Sequence, residues 1–197
     1  MLTLEKLKEI DKYAMFKIYE KWPEIAKESY QKEVSKLDIK DIDHIVFAGM
    51  GGSGTISDIF SSILSKTNIH VSIVKGYLLP KTVDKNTLVI CTSVSGNTKE
   101  TLSILENYKN SQAKFVSFSS GGMMEEFCKK NTIKHYKIEK IHSPRASFLS
   151  FLYSTLNVLE EIIPINKSEI KESIDFLNQT KNKIDSKNQS ILLSQIY

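Results

Sequence analysis

Leu4, Leu7, Ile10 and Ala14 recur at helical spacing, and a second mixed segment runs from Pro23 to about Leu37, so the pattern predicts two N-terminal helices. The period then changes. "HIVFAG" is a short β-rich apolar run ending in glycines, and helical spacing resumes from Ser53 to Leu64. "HVSIVKG" and "TLVICTS" read as the second and third strands, Asn97–Tyr108 as a helix, and "KFVSFSS" as the fourth strand. A short helix from Gly122 to Lys130 and a fifth strand, "IKHYKIE", follow. Arg145–Ile163 reads as a long helix with apolar residues on nearly every side, and Asn166 to about Thr180 as another.

Strands that alternate with helices and are mostly continuous apolar runs predict a parallel sheet covered on both faces. The expected fold class is therefore α/β, a doubly wound five-stranded parallel sheet flanked by helices and preceded by N-terminal helices. Ligands in such folds bind beyond the carboxyl ends of the strands, where strand order reverses. The polar stretch Asn178–Ser190 reads as a linker, and the apolar run "ILLSQIY" after it as the opening of something further. The expected division is an N-terminal helical segment at 1–40, an α/β domain at 41–165, and a helix, linker and incomplete second domain at 166–197.

Composition narrows the function classes. With 41% hydrophobic and 25% charged residues, the 197-residue chain is of ordinary globular type. The net charge of +4 is spread along the chain, with no Lys/Arg run of five, so no nucleic-acid partner is expected. No apolar stretch approaches 18 residues and the charged N-terminus lacks a signal-peptide core, so no membrane partner is expected either. Cys91 and Cys128 fit neither metal-ligand spacing nor a disulfide framework, which points to buried thiols in a reducing cytoplasm.

"GMGGSG" puts four glycines into residues 49–54, and Gly49-x-Gly51-x-x-Gly54 matches the dinucleotide fingerprint letter by letter. That use also needs an acid about 20 residues on to hold the ribose hydroxyls. The second strand ends instead in Lys75, Gly76 and Tyr77, so a nicotinamide cofactor is not expected. Glycines between a strand and a helix still bring backbone N–H groups close to an anion, or merely form a tight turn. The second loop, "CTSVSGNTKETL", sets Ser93, Ser95 and Thr98 around a helix start, with Gly96 and Asn97 at the turn. Hydroxyls and N–H groups at a helix N-terminus cradle phosphate without a lysine. The plainer reading is that Ser95 or Asn97 caps the helix and Glu100 completes a capping box.

Together, "GMGGSG", "GYLLP", "TSVSGNTKETL" and "SPRASF", in this order, resemble the sugar isomerase (SIS) family, nearest to its bifunctional phosphoglucose/phosphomannose isomerases. The similarity runs from about Asp43 to Ile163. It implies a three-layer α/β sandwich that binds phosphosugars: Ser93, Ser95 and Thr98 on the phosphate, Gly51, Gly52 and Ser53 along the sugar. Arg145 of "HSPRASF" would face the sugar as a catalytic residue, its guanidinium stabilising the enediolate of aldose–ketose isomerisation. The implied ligand is a hexose phosphate, with no cofactor and no metal, and the implied partner a second copy or a second SIS domain.

Isomerisation also needs a base, and the resemblance places it in a second SIS domain. Within these residues Glu100 reads as a cap, His142 as a solvated loop residue, and His44, His70 and His135 as structural residues of strands. Three readings stay open: a fragment of an isomerase, one part of a split enzyme, or a stand-alone module that binds phosphosugar without converting it. The apolar helix Ala146–Ile163 is expected to be buried by a second domain or a dimer partner.

Overall fold

The computed structural model describes residues 4–184, with side chains described from 5 to 183. Three helices open the chain, α1 (Leu4–Ile10), α2 (Met15–Glu20) and α3 (Trp22–Gln31). They replace the two predicted from periodicity. Ala14 stands in the left-handed region (φ 52°), and the Asp11 carboxylate accepts the Phe16 N–H at 2.8 Å, which separates α1 from α2. α3 ends at Gln31, short of the predicted Leu37, and residues 32–37 run extended along the body.

The sheet then builds as β1 (His44–Ala48), α4 (Gly52–Leu64), β2 (His70–Val74), β3 (Thr87–Ser93), α5 (Lys99–Glu106), β4 (Lys114–Ser119), α6 (Gly122–Lys130) and β5 (Lys134–Lys137). All five strands are parallel in the order β2-β1-β3-β4-β5. The chain winds outward from β1 to β2, then returns to β3 and winds the other way. Right-handed crossovers therefore put α4 on one face and α5 and α6 on the other. β1 and β3 carry the change of direction, and the loops that follow them, 49–51 and 94–98, diverge to leave a crevice.

Alternation along the strands supplies both layers. Ile45 and Phe47 of β1, Leu88 and Ile90 of β3, and Val116 and Phe118 of β4 pack with Ile56, Phe60 and Leu64 of α4. Val46, Ala48, Val89 and Cys91 pack on the opposite face with Leu102, Leu105, Met124 and Cys128. Both faces are buried, which is why the strands carry continuous apolar runs.

α7 (Phe148–Val158) and α8 (Lys167–Ile184) complete the described chain. Two expectations are corrected here. α7 is not left for a partner to cover: α3 lies along it, and Phe151, Leu156 and Val158 join Ala26 and Ile170 in the α4-side core of this same chain. Second, α8 continues to Ile184, so residues 178–184 are helix rather than linker, held in part by the Lys181 ammonium on Glu24 at 2.8 Å. Residues 185–190 of the expected linker and the "ILLSQIY" segment lie outside the described residues.

Candidate functional site

The glycine loop follows β1 and starts α4. A Cβ on Gly49 would come within 3.0 Å of the Ser53 backbone, and one on Gly54 within 3.0 Å of the Gly49 carbonyl, so these two let strand and helix approach closely. Gly51 makes the turn, with φ 53°. Gly52 faces open space. Gly49 and Gly54 therefore serve the packing, Gly51 the turn, and Gly52 borders the crevice.

The second loop is braced from within and from behind. Ser93 is buried, its Oγ accepting the Gly96 N–H at 3.1 Å and lying 2.8 Å from Thr98 Oγ1. Ser95 is exposed, and its Oγ accepts the Asn97 N–H at 3.2 Å. Gly96 takes φ 69° and packs so tightly that a Cβ would stand 1.8 Å from the Gly121 carbonyl oxygen. From the loop after β4, Ser120 donates to the Val94 carbonyl, and from the first turn of α6 the Met124 N–H donates to the Gly96 carbonyl and the Met123 N–H to Asn97 Oδ1.

No side chain caps α5: Thr98 occupies the N-cap position with its hydroxyl turned to Ser93. The expected capping box is thus absent, because Asn97 is bonded to Met123 and Glu100 bonds the Tyr77 hydroxyl instead. The Glu100 carboxylate holds the Tyr77 phenol above its ordinary pKa, by charge first. The first N–H groups of α5 are consequently left for solvent or an anion. α4 likewise has no side-chain cap.

Arg145 sits in a turn rather than in the helix predicted to begin with it; α7 starts at Phe148. Buried Ser147 ties this turn together. Its Oγ accepts the Ile141 N–H at 2.8 Å and shares its one proton between the Ser143 and Ile141 carbonyls, while its own N–H bonds the Ser143 carbonyl at 3.0 Å. The Ala146 carbonyl in the same turn accepts the Trp22 indole N–H at 3.2 Å.

These elements enclose one cleft of about 560 Å³. Gly52, Ser53, Ser95, Thr98 and Arg145 line it, together with Trp22, Met50, Thr55, Val94, Pro144 and Phe148. Of the residues singled out in the sequence, two do not line the cleft: Ser93 is buried behind the wall as a support for Thr98, and Gly51 is an exposed turn beside it. Trp22 was not foreseen. It comes from the N-terminal helices, and its signal in the sequence was only that it is the sole tryptophan.

Among the described residues, no carboxylate or imidazole lines the cleft. Among the described residues, no group of three His, Cys, Asp or Glu side chains is placed to hold a metal. The histidines are engaged elsewhere: His44 with Ser72 and Thr87, His135 with Ser119, and His142 with the Tyr13 carbonyl. The cleft can therefore hold an anion and present a guanidinium to it. It contains no lining side chain suited to moving a proton between carbons at neutral pH.

The SIS domain family model matches residues 38–161. The bifunctional phosphoglucose/phosphomannose isomerase of Caldicellulosiruptor bescii is 32% identical over 181 residues, 86% of this chain and 52% of that protein. The protein of the same name from Aquifex aeolicus is 34% identical over 83% of this chain and 49% of its own length. The chain thus spans about half the length of the curated relatives it matches. Among solved structures, tagatose-6-phosphate ketose/aldose isomerase from Escherichia coli superimposes with a TM-score of 0.60 at 15% identity, over 88% of this chain and 54% of that one, a likeness of fold.

Proposed function

Because this chain belongs to the SIS-domain family, we propose that its cleft binds a hexose 6-phosphate as one half of an aldose–ketose isomerase site. The observation that carries this is the uncapped start of α5, with Ser95 and Thr98 beside it, sharing one cleft with Arg145. The phosphate takes the α5 N–H groups and the two hydroxyls. Ser93 Oγ already accepts the Gly96 N–H, so with its own O–H given to Thr98 the Thr98 O–H is free to donate to a phosphate oxygen. Gly52 lets backbone N–H groups approach the sugar hydroxyls, and Ser53 adds a hydroxyl.

For glucose 6-phosphate or mannose 6-phosphate going to fructose 6-phosphate, the proton moves through an enediol. Arg145 stabilises the oxyanion that forms with it. The base and the ring-opening acid then come from residues outside this cleft, in a second SIS domain or a second copy. No cofactor is required, and the two buried free thiols suit a cytoplasmic setting.

Calorimetric titration with fructose 6-phosphate tests the reading. Binding is expected for the wild type and its loss for a Ser95→Ala/Thr98→Ala variant, with turnover by the chain alone well below ~1 per second, an ordinary enzyme rate. Equal affinity in wild type and variant overturns the phosphate assignment. The alternative, a module that binds phosphosugar without converting it, is favoured by the lack of any acid or base among the cleft residues. Turnover at an ordinary rate by the chain alone would exclude it.

A further inference from the structure

A hexose phosphate has two kinds of surface. Its phosphate and hydroxyls suit Ser95, Thr98 and Arg145, while its C–H face needs an apolar wall. Trp22 lies in the cleft wall beside Pro144, Arg145 and Phe148. It comes from the first turn of α3, outside the segment matched by the family model.

Three contacts fix the ring. Its N–H donates at 3.2 Å to the carbonyl of Ala146, the residue that follows Arg145. Tyr19 meets it edge-on, with ring centroids 4.7 Å apart and planes at 87°. Buried Pro23 follows it directly and restricts the backbone at the helix start. The indole is only partly buried, and Trp22 is one of the residues lining the cleft. A rigid aromatic that borders an anion site and is already bonded through its only donor has its apolar surface left to offer.

We propose that Trp22 is a specificity residue of this cleft, packing on the C–H face of the sugar and holding the Arg145 turn through the Ala146 carbonyl. The proposal rests on the phosphosugar reading above. It makes the cleft discriminate a phosphorylated sugar from inorganic phosphate, which reaches only the α5 end.

Trp22 is the single tryptophan, so its emission reports on this wall alone. Fructose 6-phosphate and inorganic phosphate are titrated into the full chain, with heat and tryptophan fluorescence followed in parallel. Fructose 6-phosphate is expected to change the emission with the same midpoint as the heat. Inorganic phosphate at saturation should give under about a fifth of that change, because aromatic packing needs direct contact. Trp22→Phe, which keeps an aromatic face, should bind fructose 6-phosphate within about threefold of wild type. Trp22→Ala should bind it about tenfold more weakly or worse, with inorganic phosphate affinity held within about twofold.

Heat from fructose 6-phosphate without an emission change overturns the role of Trp22 and leaves the phosphosugar reading standing. So does an equal loss of both ligands in Trp22→Ala, which would make the residue purely a brace. Absence of any heat with fructose 6-phosphate overturns the phosphosugar reading, and the proposal with it. The emission arm uses the wild type and needs no variant to fold.

Discussion

The Ser93 hydroxyl lies 2.8 Å from the Thr98 hydroxyl, and the same Ser93 oxygen accepts the Gly96 N–H. A buried side chain at the end of β3 thereby closes the loop at the start of α5 and leaves Ser95 facing the solvent. The two serines of "SVS" should separate on mutation. Ser93→Ala removes two hydrogen bonds, to the Gly96 N–H and to the Thr98 hydroxyl, and should cost about 1–3 kcal/mol in urea unfolding although the Gly96 N–H keeps the residue-93 carbonyl. Ser95→Ala should stay within about 1 kcal/mol of wild type while weakening fructose 6-phosphate binding about tenfold. If stability falls equally for both, Ser93 is not the support described.

The glycines divide in the same way. Gly96→Ala combines a left-handed φ with a Cβ only 1.8 Å from the Gly121 carbonyl oxygen, so two backbone segments must move. Unfolding should show a loss of about 3 kcal/mol or more. A methyl on Gly52 meets nothing within 4 Å, so Gly52→Ala should leave the melting curve within about 1 kcal/mol of wild type. It should nevertheless weaken the sugar phosphate, because the methyl stands where the ligand must come close. Unimpaired binding by Gly52→Ala would remove this residue from the site.

Arg145 is exposed, and its worth is set by charge on the ligand. An aldonic acid 5-phosphate carries a carboxylate where the enediolate oxygens would form, so it should bind more tightly than fructose 6-phosphate. Arg145→Gln should abolish that preference, reducing the ratio of the two affinities to about one, with little change in thermal stability. A preference that survives in Arg145→Gln would place the catalytic charge elsewhere.

Stability should fall in mild acid. Burial first, and then the His70 ring 4.7 Å away, hold His44 below the ordinary imidazole pKa, and burial does the same to His135. The unfolded chain therefore takes up protons on these rings at a higher pH than the native chain does. Their contribution is complete above about pH 6.5, the unfolded value, and is lost as pH drops below it. Urea midpoints at about pH 7.5 and pH 5.5 should differ in the wild type and differ less in a His44→Gln variant. Parallel slopes would show that His44 titrates alike in both states.

The thiols give a separate measure of the core. Cys91 and Cys128 are both fully buried, and burial raises the pKa of each. A thiol reagent at neutral pH should label neither in the native chain and both in denaturant, at a rate that follows global opening. Rapid labelling of either one would show that the layer beneath α5 and α6 opens locally.

Much of the fold was legible from local pattern. The central strands β1 and β3 were readable because they are buried on both faces, so "HIVFAG" and "TLVICTS" run apolar almost without a break, whereas β2 and β5 at the sheet edges stay partly exposed. The boundaries of α7 and α8 were not readable. The turn before α7 is tied by Ser147 to Ile141 and Ser143, and α8 keeps its polar stretch helical by leaning on Glu24, 157 residues away along the chain. The Glu24 partner cannot be seen in a window of neighbouring residues.

Within the site, the sequence by itself determined the chemistry on offer. A glycine turn, a hydroxyl-rich helix start and a Pro-Arg turn specify an anion and a guanidinium, because those groups act through their own backbone and a few neighbours. Only the tertiary structure decided which of them share a wall. It buried Ser93, left Gly51 exposed but outside the cleft lining, and set Ser95, Thr98 and Gly52 in the cleft wall. It also brought in Trp22, 123 positions before Arg145 in the sequence. The physical reason is the doubly wound sheet: reversal at β1 and β3 opens a crevice whose floor is local sequence, and α3, packed along α7, supplies the rest of its rim.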